Sequence, residues 1–515
     1  MEQKKSQLKT GIVLNYVNII LGNLIPVFYT PIMLSLLGQK EYGLYKLSSS
    51  VTSYLSLISL GIGSAVVRYL IKAREEEGKE AEERVLGLFM VIFQIIAAAA
   101  LLIGTILAFN LELFYGKSLS SAELSRMKVL VLIMVCNTAL SFSQTPYASV
   151  VSAHEKFIFL QCANILTTCV GPLANLVALF LGYASIGMAV SSLLIGLICR
   201  LAYYAYVKKH LHLRARYDNL PTNLVKEILS FSFWVFLANI VSQLYNATDT
   251  ILIGAIPALA TAGVAIYSVG NTFTSILSSL STGMSSLLTP KANKMVFQSA
   301  SGEELTNFCI RVGRIQCLIT LLVVSGFIAF GKPFIFFYAG PGYFNAYWVA
   351  ILTMIPNMIP MAQSTCLSII IAQNQHRFRS IVYLGIAVLN VIGTWLLLHN
   401  NYGIIGAAFV TGFALFIGPG FVMNWYYHKR TGLNMIRFWK RIGRIFIIPI
   451  CMCAVVFGVS KFIDFYNLVI LIVGIILYTF VYCLLNWKFV MDDYEKDLIR
   501  KPLQRLCKKG DKDNA

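Results

Sequence analysis

Runs of apolar residues longer than the roughly 18 that suggest a membrane-spanning helix recur along the whole chain, beginning with residues 11–37. Such runs leave few options. Inside a bilayer every backbone N–H and C=O must be bonded within the protein, so only helices and closed barrels can span it. A barrel reads as short alternating segments, and this chain has long continuous ones. Composition agrees: 57% of the residues are hydrophobic and 13% charged, where a soluble domain has about 45–50% and 25%. The sequence therefore predicts an all-α integral membrane protein.

Charged residues and turn signals divide the chain into fourteen apolar segments: 11–37, 44–71, 85–109, 128–150, 158–181, 184–207, 228–256, 263–290, 309–336, 346–373, 381–399, 403–428, 446–464 and 468–490. The first follows a basic stretch, MEQKKSQLKT. It is too long for a signal-peptide core and has no small-residue cleavage site after it, so it is read as a retained helix. Lys and Arg set the orientation, because they collect on the cytoplasmic side. With the N-terminus inside, all 42 except Lys40, Lys46, Lys117, Arg126, Lys128, Lys332 and Lys461 fall in inner loops or at inner helix ends. The expected topology is fourteen transmembrane helices with both termini cytoplasmic. The net charge of +19 then faces an anionic inner leaflet, and no nucleic-acid partner is implied. REEEGKEAEER (74–84) reads as a solvated loop or helix extension.

The two halves repeat. Shifted by 222 residues, 45–72 aligns with 267–294 without a gap, matching among others Tyr45 with Tyr267, Thr52 with Thr274, Ser56 with Ser278 and Gly61 with Gly283. A second echo pairs YASIGMA (183–189) with YGIIGAA (402–408). Segments 2 and 8 correspond, as do 6 and 12. Six helices per repeat preserve orientation, so the repeats are parallel. The expected organisation is an N-terminal bundle (1–226), a C-terminal bundle (227–428), an appended helix pair (429–490) and a cytoplasmic tail (491–515).

A duplicated bundle with short outer loops points to a transporter. The eleven cysteines lie in apolar runs apart from Cys507, and none falls in an outer loop, so disulfides have no evident role. The six histidines sit in loops or at helix ends. No catalytic or metal-ligating constellation is present, and the chain is not expected to be an enzyme.

LLGQKEYGLYKL (36–47) resembles the LG-x-x-x-(Y/F)-G-x-Y signature of polysaccharide transport proteins, the Wzx-type flippases of the multidrug/oligosaccharidyl-lipid/polysaccharide exporter superfamily. AGVAIYSVGN (262–271) is its second-half counterpart. FYAGPGYFNA (337–346) and NNYGIIGAAFVT (400–411) resemble two further junctions of the family. The resemblance covers essentially the whole chain. It implies a flippase of the bacterial cytoplasmic membrane. Such a protein moves an undecaprenyl-diphosphate-linked oligosaccharide from the inner to the outer leaflet for surface polysaccharide biosynthesis. Two bundles would rock about a cavity formed largely by segments 1, 2, 7 and 8. Membrane lipids and a downstream polysaccharide polymerase are the other expected partners. The alternatives are a cation-coupled multidrug exporter and a membrane polysaccharide polymerase.

Residue chemistry suits the flippase. Asn15, Asn18 and Asn23 in segment 1 and Asn239, Gln243 and Asn246 in segment 7 supply amides that sugar hydroxyls require; a polar stripe on a membrane helix must face protein or water. Asn271 closes the second-half motif. Arg68, Arg200 and Lys46 are the embedded cations available to a diphosphate, although Arg68 and Arg200, near inner helix ends, could instead snorkel to the inner surface. Pro26 and Pro31 each remove a backbone hydrogen bond and favour a kink, either a hinge or a static bend. Asp249 lies three residues after Asn246 and continues its stripe. It could pair with Lys46 as an outer gate, bind H⁺ or Na⁺ as a coupling acid, or be solvated near the outer mouth. No cofactor is expected beyond that coupling ion.

Overall fold

The computed structural model describes residues 2–373, 375–498 and 500; Cys507, with the rest of 501–515, lies outside them. Every regular element among the described residues is helical. In chain order these are α1 (Glu2–Ser53), α2 (Gly63–Glu77), α3 (Lys79–Phe109), α4 (Leu111–Tyr115), α5 (Ser121–Ala153), α6 (Phe157–Phe180), α7 (Ala184–His210), α8 (Leu224–Asn246), α9 (Thr248–Ala255) and α10 (Ala260–Phe297). They continue with α11 (Gly302–Ala339), α12 (Asn345–Ala362), α13 (Ser364–Ala372), α14 (His376–His399), α15 (Gly403–Leu415), α16 (Met423–Arg430), α17 (Met435–Gly443), α18 (Ile447–Val459) and α19 (Leu468–Phe489).

Eleven helices among the described residues are long and apolar enough to cross a membrane, and twelve if the pair α12–α13, bent by 44°, is one span. The stretch Val13–Glu77 enters that count once, although helical dihedrals are interrupted within it at Gly38 (φ 72°, ψ 169°), a left-handed φ that glycine adopts without a Cβ penalty. A 3-10 turn at Tyr54–Ser59 interrupts it again. The Ser- and Thr-rich α10 falls short in hydropathy and is not in the count.

The chain forms two compact units. The first comprises 1–269 with 383–410, the second 270–382 with 411–515. This division differs from the cut at 226/227 that the sequence repeat suggests. The helices α8 and α9 join the first unit together with most of α14.

In the first unit α3 packs on α5, α5 on α7, and α1 on α6. A core of Val66, Leu70, Phe89, Phe93, Val151 and Tyr203 fills the end where basic loops meet. There the acid run extends α2 and α3, one of its two expected forms, with part of it exposed. Gly78 separates α2 from α3, and two of its acids are buried. Glu82, 1% exposed, lies 2.8 Å from His154; Glu83 lies 3.1 Å from Arg216. A buried carboxylate needs such partners.

In the second unit α11 runs centrally, against α12, α17, α18 and α19. Residues 493–498 are helical and dock on α11, where Arg314 donates to both oxygens of Glu495 at 2.7 and 3.0 Å.

Candidate functional site

The polar and ionisable residues that the sequence singles out lie mostly in the first unit, where their placement rests on two close approaches. Gly43, in the motif LLGQKEYGLYKL, lies against the start of α10: a Cβ built on it would fall 1.8 Å from the carbonyl oxygen of Thr261. Only glycine fits there. The neighbouring Glu41 receives Arg126 at 2.7 Å and the hydroxyl of Ser185, tying α1 to α5 and α7. The motif is therefore a packing device that seats the α9–α10 junction on α1.

The second approach is at the 3-10 turn after α1. Gln243 of α8 donates to the carbonyl of Ser53 at 3.2 Å and to the Ser56 hydroxyl at 3.0 Å, and accepts from the Ser53 hydroxyl at 3.2 Å. Tyr54 reaches the hydroxyl of Thr248. Polar side chains thus close the break in the second apolar segment onto α8 instead of leaving it to lipid, as the bilayer requires.

The helix of segment 7 also breaks, at Ala247 (φ −115°) between α8 and α9. This separates Asp249 from the stripe it continues in sequence. Asn246 is exposed, whereas Asp249 is 1% exposed. Tyr267 of α10 donates to Oδ2 of Asp249 at 2.5 Å, and Thr394 of α14 donates to Oδ1 at 3.2 Å. Asn390, fully buried, lies one helical turn before Thr394 on the same face. A carboxylate with two hydroxyls is an oxygen-rich group that can take up a proton or an alkali cation; either neutralises a charge that is costly within a membrane.

This geometry bears on two readings of Asp249. It is buried, so it is not a solvated residue at an outer mouth. The Asp249–Lys46 gate is not formed in this structure. The Lys46 ammonium lies 5.5 Å from the ring centroid of Tyr42 and forms no ion pair among the described residues. The reason is the break at Ala247, which turns the carboxylate toward α10 and α14.

The remaining residues are dispersed. Asn18 accepts from Thr168 of α6 at 3.0 Å, an inter-helix bond. Asn23 donates to Ile19 of its own helix at 2.7 Å. Asn15 and Asn239 are exposed, and Asn246 bonds back to Ser242 at 2.8 Å. Arg68 is exposed and lies 5.2 Å from the ring of Phe231; Arg200 is half-buried. Asn271 belongs to the second unit. Helical dihedrals continue through Pro26 and Pro31, and the interruption falls at Gly38.

Sequence reasoning missed Tyr267, Thr394 and Asn390. The signal was available, as Asn390 and Thr394 are a polar i, i+4 pair in an otherwise apolar segment. It also missed a polar seam in the second unit. Thr274 meets Thr353 (2.7 Å), Ser278 meets Asn357 (2.9 Å), Ser285 meets Ser364 (2.8 Å) and Thr289 meets Ser368 (3.2 Å). Each pair is 79 residues apart, so α10 runs parallel to α12–α13 in constant register. Gln316, buried in α11, bridges Ser285 and Ser364.

A family model described as polysaccharide biosynthesis protein matches residues 8–294. The chain belongs to the polysaccharide biosynthesis protein family. This family member is similar in structure to the lipid II flippase MurJ in an inward closed conformation, with TM-score 0.72 and 16% identity over 94% of this chain and 100% of that one. It is also similar to an inward-facing multidrug resistance MATE family transporter of the MOP superfamily, with TM-score 0.65 and 13% identity over 82% and 99% of the two chains. The Vibrio cholerae MATE transporter VcmN in its bent form gives TM-score 0.55 and 15% identity over 84% and 98%. At these identities the likeness is one of fold. No curated protein matches the chain. The fold is the one these transporters and this flippase share.

Proposed function

We propose that this protein flips an undecaprenyl-diphosphate-linked oligosaccharide from the inner to the outer leaflet of the bacterial cytoplasmic membrane by alternating access. One observation carries this reading. A polysaccharide biosynthesis family match over 8–294 falls on a fold that is similar, over 94% of the chain, to a protein named as a lipid II flippase. A sugar head group with its diphosphate cannot cross about 30 Å of hydrocarbon unaided. The amides Asn15, Asn239 and Asn246 and the guanidinium groups of Arg68 and Arg200 are the groups on membrane helices suited to its hydroxyls and phosphates.

The reading has fourteen spans with both termini cytoplasmic. Gly38 divides the first helical stretch in two, α8–α9 and α12–α13 each form one interrupted span, and α10 crosses despite its polar seam. Asp249 with Tyr267 and Thr394 is the site for a coupling H⁺ or Na⁺. The flipped product is consumed by a polymerisation reaction at the outer face.

The test is movement of a fluorescent undecaprenyl-diphosphate oligosaccharide across proteoliposomes containing the full chain. Protein-dependent flipping is expected, faster under an imposed H⁺ or Na⁺ gradient. Efflux of cationic drugs with no lipid movement would replace this reading with multidrug export, whose fold the chain shares.

A further inference from the structure

Between Glu304 and Asp464 the chain carries no acidic residue, and within that stretch the second unit holds an aromatic groove. Its volume is about 600 Å³. It is lined by Phe416, Phe421, Trp425 and His428 from one stretch of chain and by Ile436 and Trp439 from another. Two local features shape it. The turn Phe416–Val422 is a π-helix containing Pro419, which widens the helix and separates its side chains. The opposite wall is α17, whose buried side is Met435, Phe438 and Ile442 and whose other side exposes Ile436, 71% accessible. That apolar side packs on the protein, and the groove side carries Ile436 and Trp439 among Lys and Arg; tryptophan with Lys and Arg at the ends of membrane helices marks a membrane interface.

The walls are fixed to each other. Asn424 accepts from the Trp439 indole at 2.7 Å and from Gln363, at the α12–α13 bend, at 2.9 Å. Its own amide donates to the carbonyl of Gly420 in the π-turn at 2.6 Å. The groove is thus a held shape rather than a gap between loose side chains.

Its surroundings carry an excess of cations. Lys429, Arg430, Lys440, Arg441 and Arg444 are exposed and form no ion pair among the described residues; Arg437 alone on this helix takes an acid, Glu303, at 2.9 Å. Lys440 lies one turn beyond Ile436 and His428 one turn beyond Asn424, so each is on the groove's side of its helix. An apolar groove in the membrane interface ringed by unpaired cations complements a molecule with an acyl chain and a negative head group.

We propose that this groove binds an anionic glycerophospholipid, one acyl chain lying against Phe421, Trp425 and Ile436 and the phosphate held by Lys440 and His428. A bound lipid would clamp α17 to the π-turn and, through Asn424 and Gln363, to the α12–α13 bend. The site stands apart from the transported substrate and does not depend on the flippase reading.

The experiment uses the full chain reconstituted in phosphatidylcholine vesicles containing a small fraction of brominated phosphatidylglycerol or, at the same fraction, brominated phosphatidylcholine. Bromine quenches nearby tryptophan, and two of the six tryptophans line the groove. Stronger quenching by the glycerol lipid is expected. The excess should vanish in Trp425→Phe/Trp439→Phe. It should fall in Lys440→Gln/Arg441→Gln, which leaves the aromatic walls intact, by about tenfold or more in relative affinity, each lost surface cation being worth about fivefold. Equal quenching by the two lipids overturns the proposal. So does an excess that survives either double variant, or displacement by unlabelled undecaprenyl phosphate at a lower fraction than unlabelled phosphatidylglycerol, which would assign the groove to a polyprenyl lipid.

Discussion

The Tyr267 phenol donates to the Asp249 carboxylate at 2.5 Å, and Thr394 donates to its other oxygen at 3.2 Å. The acid is thereby held between α9, α10 and α14 within the first unit. Asp249→Asn preserves the size of the group and an acceptor for one hydroxyl while removing the charge. In the proteoliposome assay the variant is expected to fold and to flip lipid without responding to a gradient. A coupling free energy between two sites usually corresponds to about 5–150-fold, so gradient stimulation in that range should collapse to none. A variant that responds like the parent would remove Asp249 from coupling.

The identity of the ion is separable at Thr394. An alkali cation takes hydroxyl oxygens as ligands, whereas a proton needs only the carboxylate. Thr394→Ser is expected to keep Na⁺ stimulation, and Thr394→Val to raise the Na⁺ concentration needed for half-maximal transport. If H⁺ is the coupling ion, Thr394→Val leaves the response to a pH gradient in place. Transport rate against Na⁺ and against pH in the two variants checks this.

The membrane class and its helical character were legible because apolar length is a property of sequence alone. Asp249 was legible as an exceptional residue, but its surroundings were not. Extrapolating a stripe from Asn239 through Gln243 and Asn246 assumes an unbroken 3.6-residue period, and the helix breaks at Ala247. No glycine or proline marks that break; it is set by Gln243 and Thr248 bonding to the turn after α1. The break in the first helical stretch falls at Gly38, where glycine adopts a left-handed φ at no cost, and nothing in the pattern of apolar residues marks that position. The polar seam between α10 and α12–α13 was hidden because serine and threonine satisfy their own helix as readily as a neighbour.

Gly43 gives a test of packing. A methyl group there would fall 1.8 Å from the Thr261 carbonyl oxygen, a backbone atom that cannot rotate away. Gly43→Ala is expected to destabilise at or beyond the upper end of the ~1–3 kcal/mol typical of overpacking. The measurement is the thermal midpoint in detergent by fluorescence-detected size exclusion. Gly22→Ala, where nothing lies within 4 Å of the added carbon, should leave the midpoint nearly unchanged. Equal midpoints for the two variants would mean that α10 does not approach α1 as described.

The docked segment after α19 depends on an ion pair that is nearly dry. The side chains of Arg314 and Glu495 are 7% and 4% exposed, and Arg314 also donates to the Val490 carbonyl at 2.8 Å. Removing one partner of a buried pair leaves the other charge uncompensated, at a cost of about 3–5 kcal/mol. Glu495→Ala and Arg314→Ala are each expected to lower the thermal midpoint and to expose the bond after Arg500 to trypsin. Replacing both with methionine removes both charges, and such swaps are often neutral or stabilising, so the double variant should regain most of the lost midpoint. The recovery is the informative quantity. If the losses from the two sites simply add, the residues do not act as a pair, and the segment is held to α11 by something other than their charge.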